Sequence, residues 1–264
     1  PSLTVTEEDA ADWRSMLTTN QSNVPIAVGE HLSERQLLEG LLVHSGNDYA
    51  HLLVKLSGDD EPTFVAKMNV LAARWGLSRT NYADVSGLSS GSVSTPTDQL
   101  VVGRHAMARP TIAEIVSKQE VVLPVAGVQR SYTPLVGTRG VVGIKSGRTT
   151  EAGGCDLLAL EAEVGTGRTT VLAAVFGQRG KGRLTRAGEL AYGLAEELSR
   201  GFVPVVVAGA HTPVATYGWG SNRSDLVLRA PAVMQSWPGS KLEVSVVAKG
   251  RHPVSYTHLT LPTI

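Results

Sequence analysis

The feature that most constrains the fold is a change in residue pattern near Lys118. Before this position, apolar residues recur at the three- and four-residue intervals of amphipathic helices. After it, short apolar runs alternate with glycines, as in strands joined by turns. Such segregation predicts an α+β fold, with an antiparallel sheet covered by helices, rather than repeating βαβ units.

Helix starts carry local capping signals. Ser33, followed three residues later by Gln36, forms a capping box that predicts a helix start. The other predicted helices cover residues 48–56, 60–75, 96–108, 110–117 and 184–198. In the 60–75 helix we expect an apolar stripe made of Phe64, Met68, Leu71, Ala72 and Trp75. The first 30 residues predict no regular element, only a turn at Gly29.

Strand patterns divide the chain into two predicted domains. In the first domain, strands are predicted at residues 121–123, 141–144, 156–162 and 169–176, the last two forming a hairpin. Beyond Val203 the pattern is entirely β, with strands at 203–207, 213–217, 224–228 and 242–248. We therefore predict a first, mixed domain at 1–200 and a partial β domain at 201–253. Residues 254–264 break the pattern and are interpreted as a non-native tail.

Composition excludes several classes of function. The 264 residues contain 24 basic and 24 acidic side chains, so there is no electrostatic case for nucleic acid or an anionic membrane. The single cysteine, Cys155, excludes an internal disulfide and a multi-cysteine metal site. HExxH, CxxC and Walker motifs are absent, and we predict no cofactor or metal. The chain begins at Pro1 with neither methionine nor signal pattern, so we expect an N-terminal piece to be missing.

Two short motifs could carry chemistry. Ser45-Gly46-Asn47 follows a predicted buried helix, and Lys145-Ser146-Gly147 stands at the end of the 141–144 strand. Taken singly, the first could be only a helix break and the second only a strand-end charge. Together, 100 residues apart, they match the S-x-N and K-[TS]-G motifs of serine penicillin-recognising enzymes.

The chemistry of such enzymes explains these residue types. A serine hydroxyl attacks well only when a nearby base removes its proton. The S-x-N serine can pass a proton to the leaving amine, and its asparagine can hold the substrate peptide. The K-[TS]-G strand edge can receive an extended peptide by strand addition. Its lysine and hydroxyl attract a terminal carboxylate.

The sequence around both motifs resembles the low-molecular-mass D-alanyl-D-alanine carboxypeptidases. Residues 38–50 resemble the S-x-N region of that family, and residues 145–155 resemble its KTG strand and the turn that follows. The resemblance covers about residues 1–200 and implies a penicillin-binding, serine β-lactamase-like fold. The β-rich remainder is a weaker match to the family's C-terminal domain.

The resemblance also implies a role for each matched residue. Ser45 would relay a proton, Asn47 would clamp the substrate and a lysine, and Lys145 would supply electrostatic help. The implied substrate-binding residues are Ser146, Gly147, Arg148 and Thr149. Ser146 and Thr149 would contact the carboxylate, and the Arg148 backbone N–H would form half of an oxyanion hole.

The implied partners follow from the same family. We expect serine-type hydrolysis, through an acyl-enzyme, of peptidoglycan peptides ending in D-Ala-D-Ala, with β-lactam antibiotics as inhibitors. The resemblance implies an extracytoplasmic location and no nucleic-acid partner. A membrane would be reached only through segments absent from this chain.

One departure from the family pattern stands out. No serine here has a lysine three residues later, so the S-x-x-K nucleophile motif is missing. We expect N-terminal truncation and an inactive fragment. Two alternatives remain: a class A-like β-lactamase and a non-catalytic scaffold with a penicillin-binding fold. The absence of glutamate between Glu61 and Glu114 argues against the β-lactamase, which needs a carboxylate to activate its deacylating water.

Overall fold

The computed structural model describes residues 1–164, 167–219 and 222–237. The chain divides into two compact units. The first comprises Pro1–Ala162 and Thr170–Glu197, and the second comprises Glu163–Thr169 and Leu198–Ile264. The motifs found in the sequence all lie in the first unit.

The regular elements are numbered in chain order. The helices are α1 (Glu7–Thr18), α2 (Glu34–Leu42), α3 (Asn47–Ser57), α4 (Glu61–Arg74), α5 (Pro96–Met107), α6 (Pro110–Val116) and α7 (Arg183–Arg200). The strands up to α7 are β1 (Ser2–Thr4), β2 (His31–Ser33), β3 (Glu120–Leu123), β4 (Gly127–Arg130), β5 (Val141–Thr149), β6 (Gly153–Val164) and β7 (Gly167–Gln178).

The main sheet has the strand order β5-β6-β7. β5 and β6 are antiparallel, with Lys145 opposite Leu157 and Ser146 opposite Asp156. Smaller antiparallel ladders join β1 to β2 and β3 to β4. The predicted α+β architecture with an antiparallel sheet is therefore confirmed.

The prediction that β5 ends at Ile144 was wrong. The ladder to β6 continues through Thr149, so Lys145-Ser146-Gly147 lies within the strand. Lysine and glycine are depleted in strands, which made the run look like a strand end. Pairing with β6 overrides that local preference.

Helix α1 was missed by the sequence reasoning. Its N-cap is Thr6, whose Oγ1 accepts from the Asp9 N–H while Asp9 Oδ2 accepts from the Thr6 N–H. Only Ala10 and Met16 are buried, so the apolar period is weak. The capping box was the available signal, with aspartate in place of the usual glutamate or glutamine.

The core beneath the first motif is built by α2 and α3. The predicted capping box at Ser33 and Gln36 is confirmed and fixes the start of α2. Tyr49 is fully buried and packs on Gly40, where an added Cβ would lie 2.2 Å from Tyr49 Cδ1. This close approach holds the two helices together just before and after Ser45.

The predicted apolar stripe of α4 is confirmed except at one position. Ala72 is buried and Phe64, Met68 and Trp75 are half-buried, whereas Leu71 is 41% exposed. Single exposed apolar residues of this kind are ordinary on protein surfaces. Across the described residues, no helix combines the length and apolarity needed to cross a bilayer.

The described residues of the second unit include two short antiparallel ladders. β8 (Val203–Ala208) pairs with β11 (Ala232–Ser236), and β9 (Pro213–Trp219) pairs with β10 (Asn222–Val227). The strands predicted at 203–207, 213–217 and 224–228 are confirmed, and β11 was not predicted. The predicted strand at 242–248 and the tail at 254–264 lie outside the described residues.

Candidate active site

Ser45 occupies a tight turn between α2 and α3. Its φ is 65°, a left-handed conformation that non-glycine residues seldom adopt. The Gly46 N–H donates to Gly40 O at 3.1 Å, which fixes the turn. Glycine fits position 46 closely, because an added Cβ would lie 2.8 Å from Val24 Cγ2 and 2.9 Å from Asp48 Oδ1 and would force these side chains to shift. Strain of this kind concentrates at functional sites.

Lys145 reaches from β5 to this turn. Its Nζ donates to Ser45 Oγ at 2.7 Å and to the Ser146 carbonyl at 2.6 Å. The structure thus brings together two residues that lie 100 positions apart in the chain. The turn between α2 and α3 and the strand β5 meet at this hydrogen bond.

Burial sets the charge behaviour of Lys145. Loss of water around the ammonium lowers the pKa of Lys145 from 10.5 to about 8, and the negative charge of Asp156 opposes this shift. The group therefore carries a positive charge at neutral pH yet can release a proton under mildly alkaline conditions. Both an electrostatic anchor and a proton-transfer partner need this behaviour.

Asn47 lies at the first turn of α3, next to the segment that follows α1. Its backbone N–H donates to Ser22 O at 2.9 Å, and its Nδ2 donates to Gln21 Oε1 at 3.1 Å. Sequence reasoning did not identify either partner. Their polar side chains precede an apolar run without any recognisable motif.

Ser146 is placed differently from the expectation. It is 4% exposed, and its Oγ donates to the Tyr132 carbonyl at 3.0 Å. The hydroxyl has one proton, so in this arrangement it offers no donor to a carboxylate in the cleft. Its contact with substrate carboxylate stays a prediction that requires the hydroxyl to rotate.

Tyr132 joins the end of α2 to β5 through its main chain. Its N–H donates to Val43 O, at the end of α2, at 3.0 Å. Its carbonyl accepts from Ser146 on β5. Sequence reasoning missed this residue, because a main-chain bridge leaves no mark on side-chain type.

The remaining predicted residues lie along the outer part of β5. Gly147 and Arg148 are exposed, and an added Cβ at Gly147 would meet nothing within 4 Å. Thr149 Oγ1 accepts from the Ala152 N–H at 2.9 Å inside the β5–β6 turn. The open space at Gly147 is compatible with an extended peptide lying along the strand.

Asp156 is a fully buried carboxyl group behind the site. Neither of its oxygens has a hydrogen-bond partner among the described residues, and its relative exposure is 0%. Burial raises the pKa of Asp156 from 3.8 to about 7, with the Lys145 charge acting in the opposite direction. In the described part of the chain, no three His, Cys, Asp or Glu side chains group so as to hold a metal.

This carboxyl predicts a pH-dependent stability difference for Asp156→Asn. The folded protein binds the Asp156 proton more tightly than the unfolded chain does, so the group's stabilising contribution is present below about pH 4 and lost as pH rises through about 7. The variant has no such loss. We expect it to match the wild type near pH 4 and to be about 4 kcal/mol more stable above pH 7. Urea unfolding across this range is the measurement, and a difference independent of pH would contradict the prediction.

The fold and site together define the class of the protein. An S-x-N turn facing a K-[TS]-G strand, on an antiparallel sheet covered by helices, is the arrangement of penicillin-recognising serine enzymes. The model of the peptidase S11 family, D-alanyl-D-alanine carboxypeptidase, matches residues 2–180. The chain belongs to this family.

Individual relatives agree with the family match. The chain is 39% identical over 104 residues to the D-alanyl-D-alanine carboxypeptidase DacB2 of Mycobacterium tuberculosis, covering 38% of this chain and 35% of that protein. It is 28% identical over 164 residues to DacF of Bacillus subtilis, covering 59% and 41%. The chain therefore spans less than half the length of these curated relatives.

Solved structures share the fold. A D-alanyl-D-alanine carboxypeptidase from Mycobacterium tuberculosis matches with a TM-score of 0.60 and 28% identity, over 74% of each chain. The Streptomyces K15 DD-transpeptidase matches with a TM-score of 0.63 and 22% identity, over 74% of this chain and 79% of that one. The second likeness concerns the fold alone.

Proposed function

We propose that this chain carries the substrate-binding and proton-relay side of a serine-type D-Ala-D-Ala carboxypeptidase acting on peptidoglycan stem peptides. The observation that carries the proposal is the 2.7 Å hydrogen bond from Lys145 Nζ to Ser45 Oγ. The family match supports a carboxypeptidase over a β-lactamase.

Each residue has a defined part in the proposed reaction. The Lys145 ammonium attracts the terminal carboxylate of the peptide. Ser45 then gives its proton to the leaving amine of D-alanine and takes a proton from Lys145 through the existing hydrogen bond. Asn47 holds the peptide, which lies along β5 by strand addition.

The attacking serine of the whole protein belongs, on this proposal, to an S-x-x-K motif that these 264 residues do not contain. It would form the acyl-enzyme that water then hydrolyses. β-Lactams would compete for the same cleft. Because the stem peptides lie outside the cytoplasmic membrane, the proposed location is extracytoplasmic.

Calorimetric titration of the purified chain with N-acetyl-D-Ala-D-Ala tests this proposal. We expect saturable, non-covalent binding, because the carboxylate anchor and the strand edge are both present. The L-Ala-L-Ala enantiomer is the matched control and should bind more weakly, since the β5 edge and Asn47 contact a peptide of defined handedness. Equal binding of the two enantiomers, or none of either, would overturn the proposal.

The same chain should form no covalent adduct with benzylpenicillin. The proposed mechanism assigns Ser45 to proton relay and leaves the attack to a serine outside this sequence. Intact-protein mass spectrometry after prolonged incubation is the measurement. A stable mass increase of one penicillin on Ser45 would contradict the assigned roles.

A further inference from the structure

A line of hydrogen bonds leads from the end of α1 to Asn47. Gln21 Nε2 donates to Thr19 Oγ1 at 3.0 Å, and Gln21 Oε1 accepts from Asn47 Nδ2 at 3.1 Å. Gln21 is also held through its main chain: its N–H donates to Met16 O at 3.1 Å, and its carbonyl accepts from Asn23 Nδ2 at 2.8 Å. The side chain therefore has a fixed place beside Asn47.

Thr19, at the α1 end of this line, sets which groups along it donate and which accept. Ser15 O and Met16 O, in the last turn of α1, each accept a main-chain N–H, from Thr19 at 3.3 Å and from Gln21 at 3.1 Å, and each carbonyl has a second lone pair. Thr19 Oγ1 donates its only proton toward these carbonyls, with Ser15 O at 3.2 Å and Met16 O at 3.3 Å. Toward Gln21 the hydroxyl can then act only as an acceptor. Gln21 must turn its NH₂ group to Thr19 and its carbonyl to Asn47.

The same logic fixes the carboxamide of Asn47. The two ends of a carboxamide are similar in size, so hydrogen bonds decide which end points where. Because Gln21 presents a carbonyl, Asn47 must turn its NH₂ group toward it. Asn47 Oδ1 is thereby directed away from Gln21 and has no hydrogen bond to the described residues. It remains available to accept from a donor in the cleft.

We infer that Gln21 is a positioning residue of the carboxypeptidase site, which sets the orientation of the Asn47 carboxamide through the Thr19–Gln21–Asn47 line. This inference rests on the proposed function, since orientation matters only if Asn47 contacts a ligand. In the site, Asn47 Oδ1 would accept a hydrogen bond from an amide N–H or from an ammonium group.

Two substitutions of Gln21 distinguish the effect of its hydrogen bond to Asn47 from the effect of its side-chain volume. Gln21→Met keeps the length of the side chain but removes the acceptor, so the Asn47 carboxamide is free to flip. Gln21→Glu keeps an acceptor for Asn47 Nδ2 and removes the Nε2 donor to Thr19 Oγ1. Gln129→Met is the matched control, because Gln129 Nε2 contacts Ala126 O, outside the line.

The first readout is the pair of Asn47 side-chain N–H signals in ¹H–¹⁵N spectra, assigned with an Asn47→Asp sample. We expect one hydrogen-bonded signal in the wild type, its loss in Gln21→Met, and its retention in Gln21→Glu and Gln129→Met. The second readout is affinity for N-acetyl-D-Ala-D-Ala. It should fall about fivefold in Gln21→Met and return in Gln21→Glu, which corresponds to one ordinary hydrogen bond.

Unchanged Asn47 signals in Gln21→Met would overturn the inference, as would an equal loss of affinity in Gln129→Met. Failure of Gln21→Glu to restore either readout would also overturn it. A wild-type chain that binds no peptide would defeat the proposed function instead, and the Asn47 signals would still decide the role of Gln21.

Discussion

Replacing Lys145 by methionine should weaken binding of N-acetyl-D-Ala-D-Ala by roughly 10- to 100-fold. Methionine fills a similar volume but removes the ammonium that contacts Ser45 Oγ at 2.7 Å. A hydrogen bond between charged partners is worth about 1.5–3 kcal/mol, which corresponds to this loss of affinity. Titration calorimetry at pH 7 is the measurement. Lys67→Met is the control, because Lys67 is exposed and bonded to Asp59 on a different surface.

The pH dependence of wild-type affinity tests the same charge. The pKa of Lys145 is lowered to about 8, so its ammonium is charged below that pH and neutral above it. Affinity for the peptide carboxylate should therefore fall as pH rises from 7 to 9. Lys145→Met should show no such fall. An affinity that stays constant in the wild type, or a loss of equal size in Lys67→Met, would contradict the role of Lys145.

Gly40→Ala should lower the free energy of unfolding by about 3 kcal/mol. The added Cβ would lie 2.2 Å from Cδ1 of Tyr49, whose ring is fully buried and cannot move aside without disturbing the α2–α3 core. Urea unfolding at fixed pH measures the effect. Because Ser45 stands directly between these helices, we also expect weaker peptide binding in the fraction that remains folded.

Gly193→Ala, the same change at another glycine, should have the opposite effect on the free energy of unfolding. Gly193 lies inside α7, and an added Cβ would meet nothing within 4 Å. Alanine is the better helix former, so this variant should be more stable by about 0.5–1 kcal/mol. If both variants lost stability equally, helix disruption of a general kind would replace close packing as the explanation for Gly40.

The sequence predicted the parts of the site that depend on residue type. Ser45 and Lys145 could be paired because their chemistry demands a hydroxyl and an amine within short motifs. Gln21 and Tyr132 could not be found in this way. Gln21 acts through a contact with Asn47 created by the fold, and Tyr132 acts through its main chain, which every residue other than proline shares.

The same distinction applies to the fold: elements with strong local signals were predicted, and elements that lack them were not. The helix beginning after Ser33 was predictable, because its cap and its apolar face agree. α1 was not, because its stability depends on a cap and on few buried contacts. The extension of β5 through Lys145 depends on a ladder to β6, and pairing between distant segments cannot be read from the propensities of one segment.

The bridge at position 132 has a consequence for how such a site can vary between proteins. The gap between the turn and the strand is spanned by an amide and a carbonyl, which donate to Val43 O and accept from Ser146. Tyr132 is 45% exposed, and its ring packs edge-on against His44, with 5.1 Å between the ring centroids. Proline at position 132 would remove the N–H and break the bridge, whereas any other residue would keep both main-chain hydrogen bonds and change only the ring contact beside Ser45.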